Sequence, residues 1–263
     1  MADYMKNGRF VDLPGIRTWY LDTGGNGAPI VLLHSTTATS ISWEPQINAF
    51  AGAGYRVIAP DRRGWGRSVA AAGSKHVPGA DDVDALVDHL KLNRLHLVGI
   101  GGGGLIALDY AAWRPERLRS LVIGSCIATR SEKDIVDFSA TIAPPKDAKL
   151  PRVFTDVGAS YRGSNPEGIA RWLEIERTAR QPGAPGVETR TPNSYAKLET
   201  IKAPTLVMAG AGDIVAPPAL MRLWAPHVKG SEWVVVPDAG HSMPWEQPHF
   251  FNEKVLDFIG RAP

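Results

Sequence analysis

Short apolar runs alternate along most of the chain with stretches in which apolar residues recur every three or four positions. The continuous runs predict buried strands at Ile30-Val31-Leu32-Leu33, Arg56-Val57-Ile58-Ala59, Leu95-His96-Leu97-Val98, Leu121-Val122-Ile123, Thr205-Leu206-Val207-Met208-Ala209 and Trp233-Val234-Val235-Val236. Two opening strands are expected across residues 9 to 22, where Ile16, Thr18 and Tyr20 alternate after a Pro14-Gly15 turn. Helical spacing marks Trp43, Ile47 and Phe50, then Val83, Leu86, Val87 and Leu90, then Leu105 to Tyr110. Further helices are expected near Ala219 to Trp224 and from about Phe250 to Ile259. Strands that are apolar throughout and separated by helices belong to a mostly parallel sheet covered on both faces.

The rhythm fails between Thr129 and Ser194, where Pro144, Pro145, Pro151, Pro166, Pro182 and Pro185 collect. One helix stands out there, with Ile169, Trp172, Leu173 and Ile175 apolar among charges. The segment reads as a lid inserted over the sheet edge at residues 129–194, with the core domain formed by 1–128 and 195–263. A length of 263 residues suits one α/β domain carrying such an insertion. The net charge of +2, with no basic run interleaved with aromatics, argues against a nucleic-acid partner. The single cysteine, Cys126, excludes an intrachain disulfide framework and a multi-cysteine metal site, and suits a reducing cytoplasm. Met1-Ala2-Asp3-Tyr4-Met5-Lys6 has no apolar leader region, and no run approaches the ~18 apolar residues of a membrane span. The expectation is a cytoplasmic monomer or homodimer that acts on a small molecule, away from membranes.

Ligands of an open parallel sheet bind beyond the carboxyl ends of its strands. One such end is the turn Gly99-Ile100-Gly101-Gly102-Gly103, between a buried strand and a helix, where a serine hydrolase would read G-x-S-x-G. Gly101 stands in the nucleophile's seat. Asp213 and His241 follow two later strands, in the chain order nucleophile, acid, base. A carboxylate that orients an imidazole leaves the other ring nitrogen to take a proton from a reacting group. The seven histidines show no metal-ligand spacing. The glycine run lacks the acidic residue about 20 positions on that a dinucleotide site needs, Glu116 being nearer and in a loop-like context. Neither a metal nor an organic cofactor is expected.

Together these segments resemble the α/β-hydrolase superfamily. The resemblance rests on Leu32-Leu33-His34, Ala59-Pro60-Asp61-Arg62-Arg63-Gly64-Trp65-Gly66-Arg67-Ser68, the glycine turn, Gly210-Ala211-Gly212-Asp213-Ile214-Val215-Ala216-Pro217 and Ala239-Gly240-His241-Ser242, five segments in the family's order between roughly residues 16 and 260. It implies an α/β-hydrolase fold: a mostly parallel eight-stranded sheet with helices on both faces and an inserted helical lid. It also implies Asp213 as triad acid, His241 as base, and backbone N–H groups near Thr36 and at Gly102 as the oxyanion hole.

Two departures bear on chemistry. The family's usual His-Gly pair is His34-Ser35 here, so Ser35 either contacts substrate or bonds the neighbouring backbone. The other departure is Gly101. Glycine relaxes a strained positive φ worth about 1–3 kcal/mol, and loss of a triad serine removes about six orders of magnitude in turnover. Three explanations stay open: a Ser-to-Gly inactivated variant, a natural enzyme using His241-Asp213 as general base for hydrolytic, carbon–carbon cleaving or lyase chemistry, and a non-catalytic binding protein. The expected substrate is a small ester, lactone or activated carbonyl compound. Trp172 and Trp245, with Phe138, Phe154 and Tyr161, are candidates to line its pocket. Cys126 reads as a buried small hydrophobe, and Arg62 and Arg130 as surface ion-pairing residues before carboxylate ligands.

Overall fold

The strands are β1 (Gly8–Leu13), β2 (Ile16–Asp22), β3 (Pro29–Leu33), β4 (Arg56–Pro60), β5 (Val69–Ala70), β6 (Leu95–Ile100), β7 (Leu118–Gly124), β8 (Thr205–Gly210) and β9 (Glu232–Val236). They come from a computed structural model that describes residues 8–145, 148–184 and 186–262. The reading of Met1 to Lys6 and the proline at 185 lie outside the described residues. All nine strands join one sheet in the order β1-β2-β4-β3-β6-β7-β8-β9, with β5 paired to β2 off that path. The eight strands on that path are the ones that the apolar runs and the opening alternation predict. The sequence reading misses β5 because two exposed residues carry no periodic signal. The pairs from β4 through β9 are parallel, and β2 joins β1, β4 and β5 antiparallel.

Successive strand side chains point to opposite faces, and the core divides accordingly. Val31, Leu33, Leu97, Ile123 and Val207 pack on one face beneath the helices Gly79–His89 and Gly102–Trp113. Ile30, Leu32, Val98, Val122 and Leu206 pack on the other, beneath Glu44–Gly52 and Pro248–Gly260. Every residue of β6 is buried, as a central strand covered on both faces requires. Because β3 pairs with β4 on one side and β6 on the other, the chain reverses its direction of winding there. The crevice at their carboxyl ends is where such a sheet places its ligand.

Between β7 and β8 lie the helices Lys133–Ile142, Arg152–Asp156, Ala159–Ser164, Pro166–Ala179 and Tyr195–Leu198. The helix expected around Ile169 to Ile175 is Pro166–Ala179, opened by a proline and capped by the Asn165 side chain, which accepts from the Gly168 N–H. Arg171 ties it to Glu44 in an ion pair of 2.5 Å. Just beyond its end, Gln181 donates to the carbonyls of Gly66 and Ser68 at 2.9 and 3.0 Å. No helix among the described residues is long and apolar enough to cross a membrane.

Candidate active site

Gly101 closes the turn after β6 at φ 55° and ψ −116°, in the left-handed half of the map where a side chain brings strain. Its N–H bonds the Gly124 carbonyl at 3.0 Å, and the helix Gly102–Trp113 starts immediately after it. The glycines beyond serve close packing of that helix on the sheet. A Cβ on Gly103 would lie 2.2 Å from the Leu33 carbonyl oxygen, so helix and strand backbones meet at a distance that only glycine allows.

His241 follows β9 and Asp213 follows β8, and the fold brings them together. His241 Nδ1 donates to Asp213 Oδ2 at 2.9 Å, which leaves Nε2 for a reacting group. Asp213 Oδ1 accepts from the N–H groups of Val215 and Ala216 at 2.8 and 2.9 Å, fixing the carboxylate. Burial opposes charge on both partners. For Asp213 the neighbouring imidazole and these donors outweigh it and hold the carboxyl below its usual value. For His241 the charge and hydrogen bond of Asp213, helped by Asp156 and Glu246, outweigh burial and raise the imidazole to about 9.

Nε2 faces Gly101. A Cβ built there would stand 3.2 Å from Nε2 and 3.0 Å from Ser35 Oγ, so the absent side chain's position is flanked by an imidazole and a hydroxyl. The Ser35 loop is held from below by His34, whose Nδ1–H donates to the Ser35 carbonyl at 2.7 Å while Nε2 accepts from the Arg62 N–H at 3.0 Å. These roles require the neutral ring, and burial, with the nearby Arg62 charge, keeps its pKa far below the usual value. Thr36 Oγ1 lies 2.6 Å from where a Gly102 Cβ would stand, beside the first turn of the helix. Leading helix N–H groups lack intrahelical acceptors, which suits Gly102 to an oxygen that gains negative charge.

A cavity of about 570 Å³ opens on this point and is lined by Ser35, Thr36, Gly101, Gly102 and His241. Its remaining wall includes Trp65, Leu105 and Ile127, and Arg130, Val187 and Asn193 from the segment between β7 and β8. Neither Trp172 nor Trp245 is among the lining residues, and the same holds for Phe138, Phe154 and Tyr161. The two tryptophans clamp the helix Pro166–Ala179 to the histidine loop: Trp172 Nε1 donates to Ser242 Oγ at 3.1 Å, and Trp245 Nε1 to the Gly168 carbonyl at 3.3 Å. An aromatic residue near a site in sequence does not reveal which way the tertiary fold turns it.

Several groups escaped the sequence reading. Glu246 accepts from the N–H groups of Gly158, Gly240 and Ser242 at 2.8, 2.9 and 3.2 Å, joining the insertion to the loop that carries His241. Asp156 accepts from the hydroxyls of Thr37 and Thr155, and its carbonyl accepts from the Ser242 N–H at 2.8 Å. Arg62 is only 8% exposed and is no surface ion-pairing residue. Cys126 is buried, as expected, and burial pushes its thiol up to about 12, so it stays protonated. Among the described residues no group of three or more His, Cys, Asp or Glu side chains could hold a metal ion.

The chain matches the alpha/beta hydrolase family over residues 30–254. It is 31% identical over 251 residues to a putative carbamate hydrolase, RutD, of Variovorax paradoxus, covering 90% of this chain and 93% of that protein. A 2-hydroxy-6-oxononadienedioate/2-hydroxy-6-oxononatrienedioate hydrolase of Paraburkholderia phymatum is 29% identical over 278 residues, covering 94% of this chain and 92% of its own. Among solved structures, a thermophilic esterase of Thermogutta terrifontis superposes with a TM-score of 0.79 at 26% identity, over 96% of this chain and 98% of that one. With its sheet order and its strand-end residues laid out as above, and matched over most of its length, the chain belongs to the alpha/beta hydrolase family.

Proposed function

We propose that this enzyme hydrolyses or cleaves a small ester, lactone or activated carbonyl compound without a covalent serine step, using His241 with Asp213 as general base. The observation that carries this reading is the position a Gly101 Cβ would take, 3.2 Å from His241 Nε2 and 3.0 Å from Ser35 Oγ. Both distances are tighter than most carbon contacts, so a side chain at 101 would need the Ser35 hydroxyl or the imidazole to give by a few tenths of an ångström. That point, flanked by an imidazole and a hydroxyl, suits a water or a substrate atom.

In the hydrolytic case His241 Nε2 takes a proton from the water as its oxygen bonds the carbonyl carbon. The carbonyl electron pair moves onto oxygen, stabilised by the N–H of Gly102 and the loop at Thr36. Collapse of the tetrahedral species expels the leaving oxygen, which receives the proton back from His241. Ser35 serves as a hydroxyl that orients the water or the substrate oxygen. The names of the relatives, a carbamate hydrolase, an oxononadienedioate hydrolase and an esterase, support carbonyl chemistry on small molecules.

The test compares the native chain with Gly101→Ser and His241→Ala on a panel of aryl esters and lactones. The native chain should turn over at least one of them, and His241→Ala should lose about 10²–10⁴-fold of that rate, the usual worth of a general base. A gain of several orders of magnitude in Gly101→Ser would identify a disabled serine hydrolase instead. Tight binding without turnover in either form would identify a receptor.

A further inference from the structure

Arg62 has no role in the chemistry above, yet it is buried beside Gly102 and the Ser35 loop at the edge of the site. Its guanidinium carbon lies 4.3 Å from the centroid of the Trp65 ring, and Nη2 donates to the Ser35 carbonyl at 3.3 Å. Its Nε is buried without a partner. Among the described residues no carboxylate pairs with it, and the charged group that acts on it is another cation, Arg180, 5.6 Å from the same Trp65 ring. Burial, with Arg180 adding to it, lowers the Arg62 guanidinium to about 9. A buried cation with no counter-charge is costly, and a like charge beside it adds to the cost. An anion in contact with these cations would relieve both terms.

The surroundings suit one. Arg62 lines a smaller cavity of about 50 Å³ that shares Trp65, Gly186 and Val187 with the large one. Its Nη1 stands 3.2 Å from where a Gly102 Cβ would be, so the bare Gly102 backbone leaves the guanidinium beside the first turn of a twelve-residue helix. Helix N-termini favour negative charge. On the cavity wall Arg130, Arg152 and Arg180 face a single acid, Asp156, whose two oxygens already accept from Thr37 and Thr155.

We propose that Arg62 and Arg180 bind a carboxylate of the substrate, so that the compound this site acts on is an organic acid. This rests on the preceding section for the reacting group and adds the substrate's charge. A planar guanidinium pairs with a carboxylate through two parallel hydrogen bonds, and the orphaned Nε supplies one of the donors.

Binding tests this without turnover. Isothermal titration compares phenylacetate with its neutral isostere phenylacetamide. The native protein should bind the acid about tenfold more tightly or better, in line with one charge-assisted contact. Arg62→Gln and Arg180→Gln should each remove most of that preference, and Arg62→Lys should keep part of it. Arg180 is exposed, so its variant is informative even where the buried Arg62→Gln fails to fold. Acid binding no tighter than the amide, including no measurable binding of either at millimolar concentration, overturns the proposal, as does a preference untouched by Arg180→Gln. An acid preference in a protein that turns over nothing leaves this proposal standing and sinks only the mechanism above.

Discussion

His241 illustrates how much a single side chain owes to its partner. With its pKa raised to about 9 by Asp213 against the pull of burial, it is an imidazolium at neutral pH, and base catalysis draws on the neutral fraction. We therefore expect kcat/KM to rise with pH toward an apparent midpoint near 9, a value belonging to the coupled pair. In Asp213→Asn the limb should move to lower pH while the maximum rate falls, because the ring loses its orienting acceptor. A flat profile between pH 6 and pH 9 would contradict the base role. Stability follows the same pair from both sides. The contribution of Asp213 is lost as pH falls through its lowered value, and that of His241 as pH rises from the ordinary histidine range through about 9. The positions of Asp213 and His241 were legible in the sequence because each closes an apolar strand and sits in a short glycine-containing segment. Glu246, Asp156 and the burial of Arg62 were not, since their partners lie far along the chain and only the fold brings them close.

The elements divide by how local their signals are. β3, β4, β6, β7 and β8 are continuous apolar runs buried on both faces, and such runs declare themselves without tertiary knowledge. The helices Lys133–Ile142, Arg152–Asp156 and Ala159–Ser164 are short or surface-lying and bury few residues, so their pattern is faint among the prolines. The structure separates two jobs within the glycine turn. Gly101 faces the cavity, whereas Gly103 is spent on contact between the helix Gly102–Trp113 and β3. Gly103→Val should therefore destabilise the protein by more than the about 1–3 kcal/mol of ordinary overpacking, because it meets backbone and not a side chain that can turn away. Urea denaturation gives the value, and a loss under 1 kcal/mol would show that helix and strand are not in the register described.

Across the whole molecule the segment between β7 and β8, the expected insertion, is attached at points that are polar as well as apolar. Asp109, fully buried on the helix Gly102–Trp113, pairs with Lys197 where the insertion returns to the core, and also accepts from the Arg190 N–H at 2.8 Å. Lys197→Met should cost about 3–5 kcal/mol, the loss expected when a buried charge is left without its partner. Lys197→Met with Asp109→Leu should recover much of it, a comparison read from paired denaturation curves. The far side of the insertion is held by Glu246, whose carboxylate takes N–H groups from Gly158 on one side and from Gly240 and Ser242 on the other. That shared carboxylate imposes a direction on traffic. Parting residues 152–164 from the core would pull on the segment that carries His241, the proposed base. On the proposed mechanism, ligand exchange that leaves His241 in place is expected past the opposite rim, where Gly186, Val187 and Thr189 border the cavity, so Glu246 would set the route in and out.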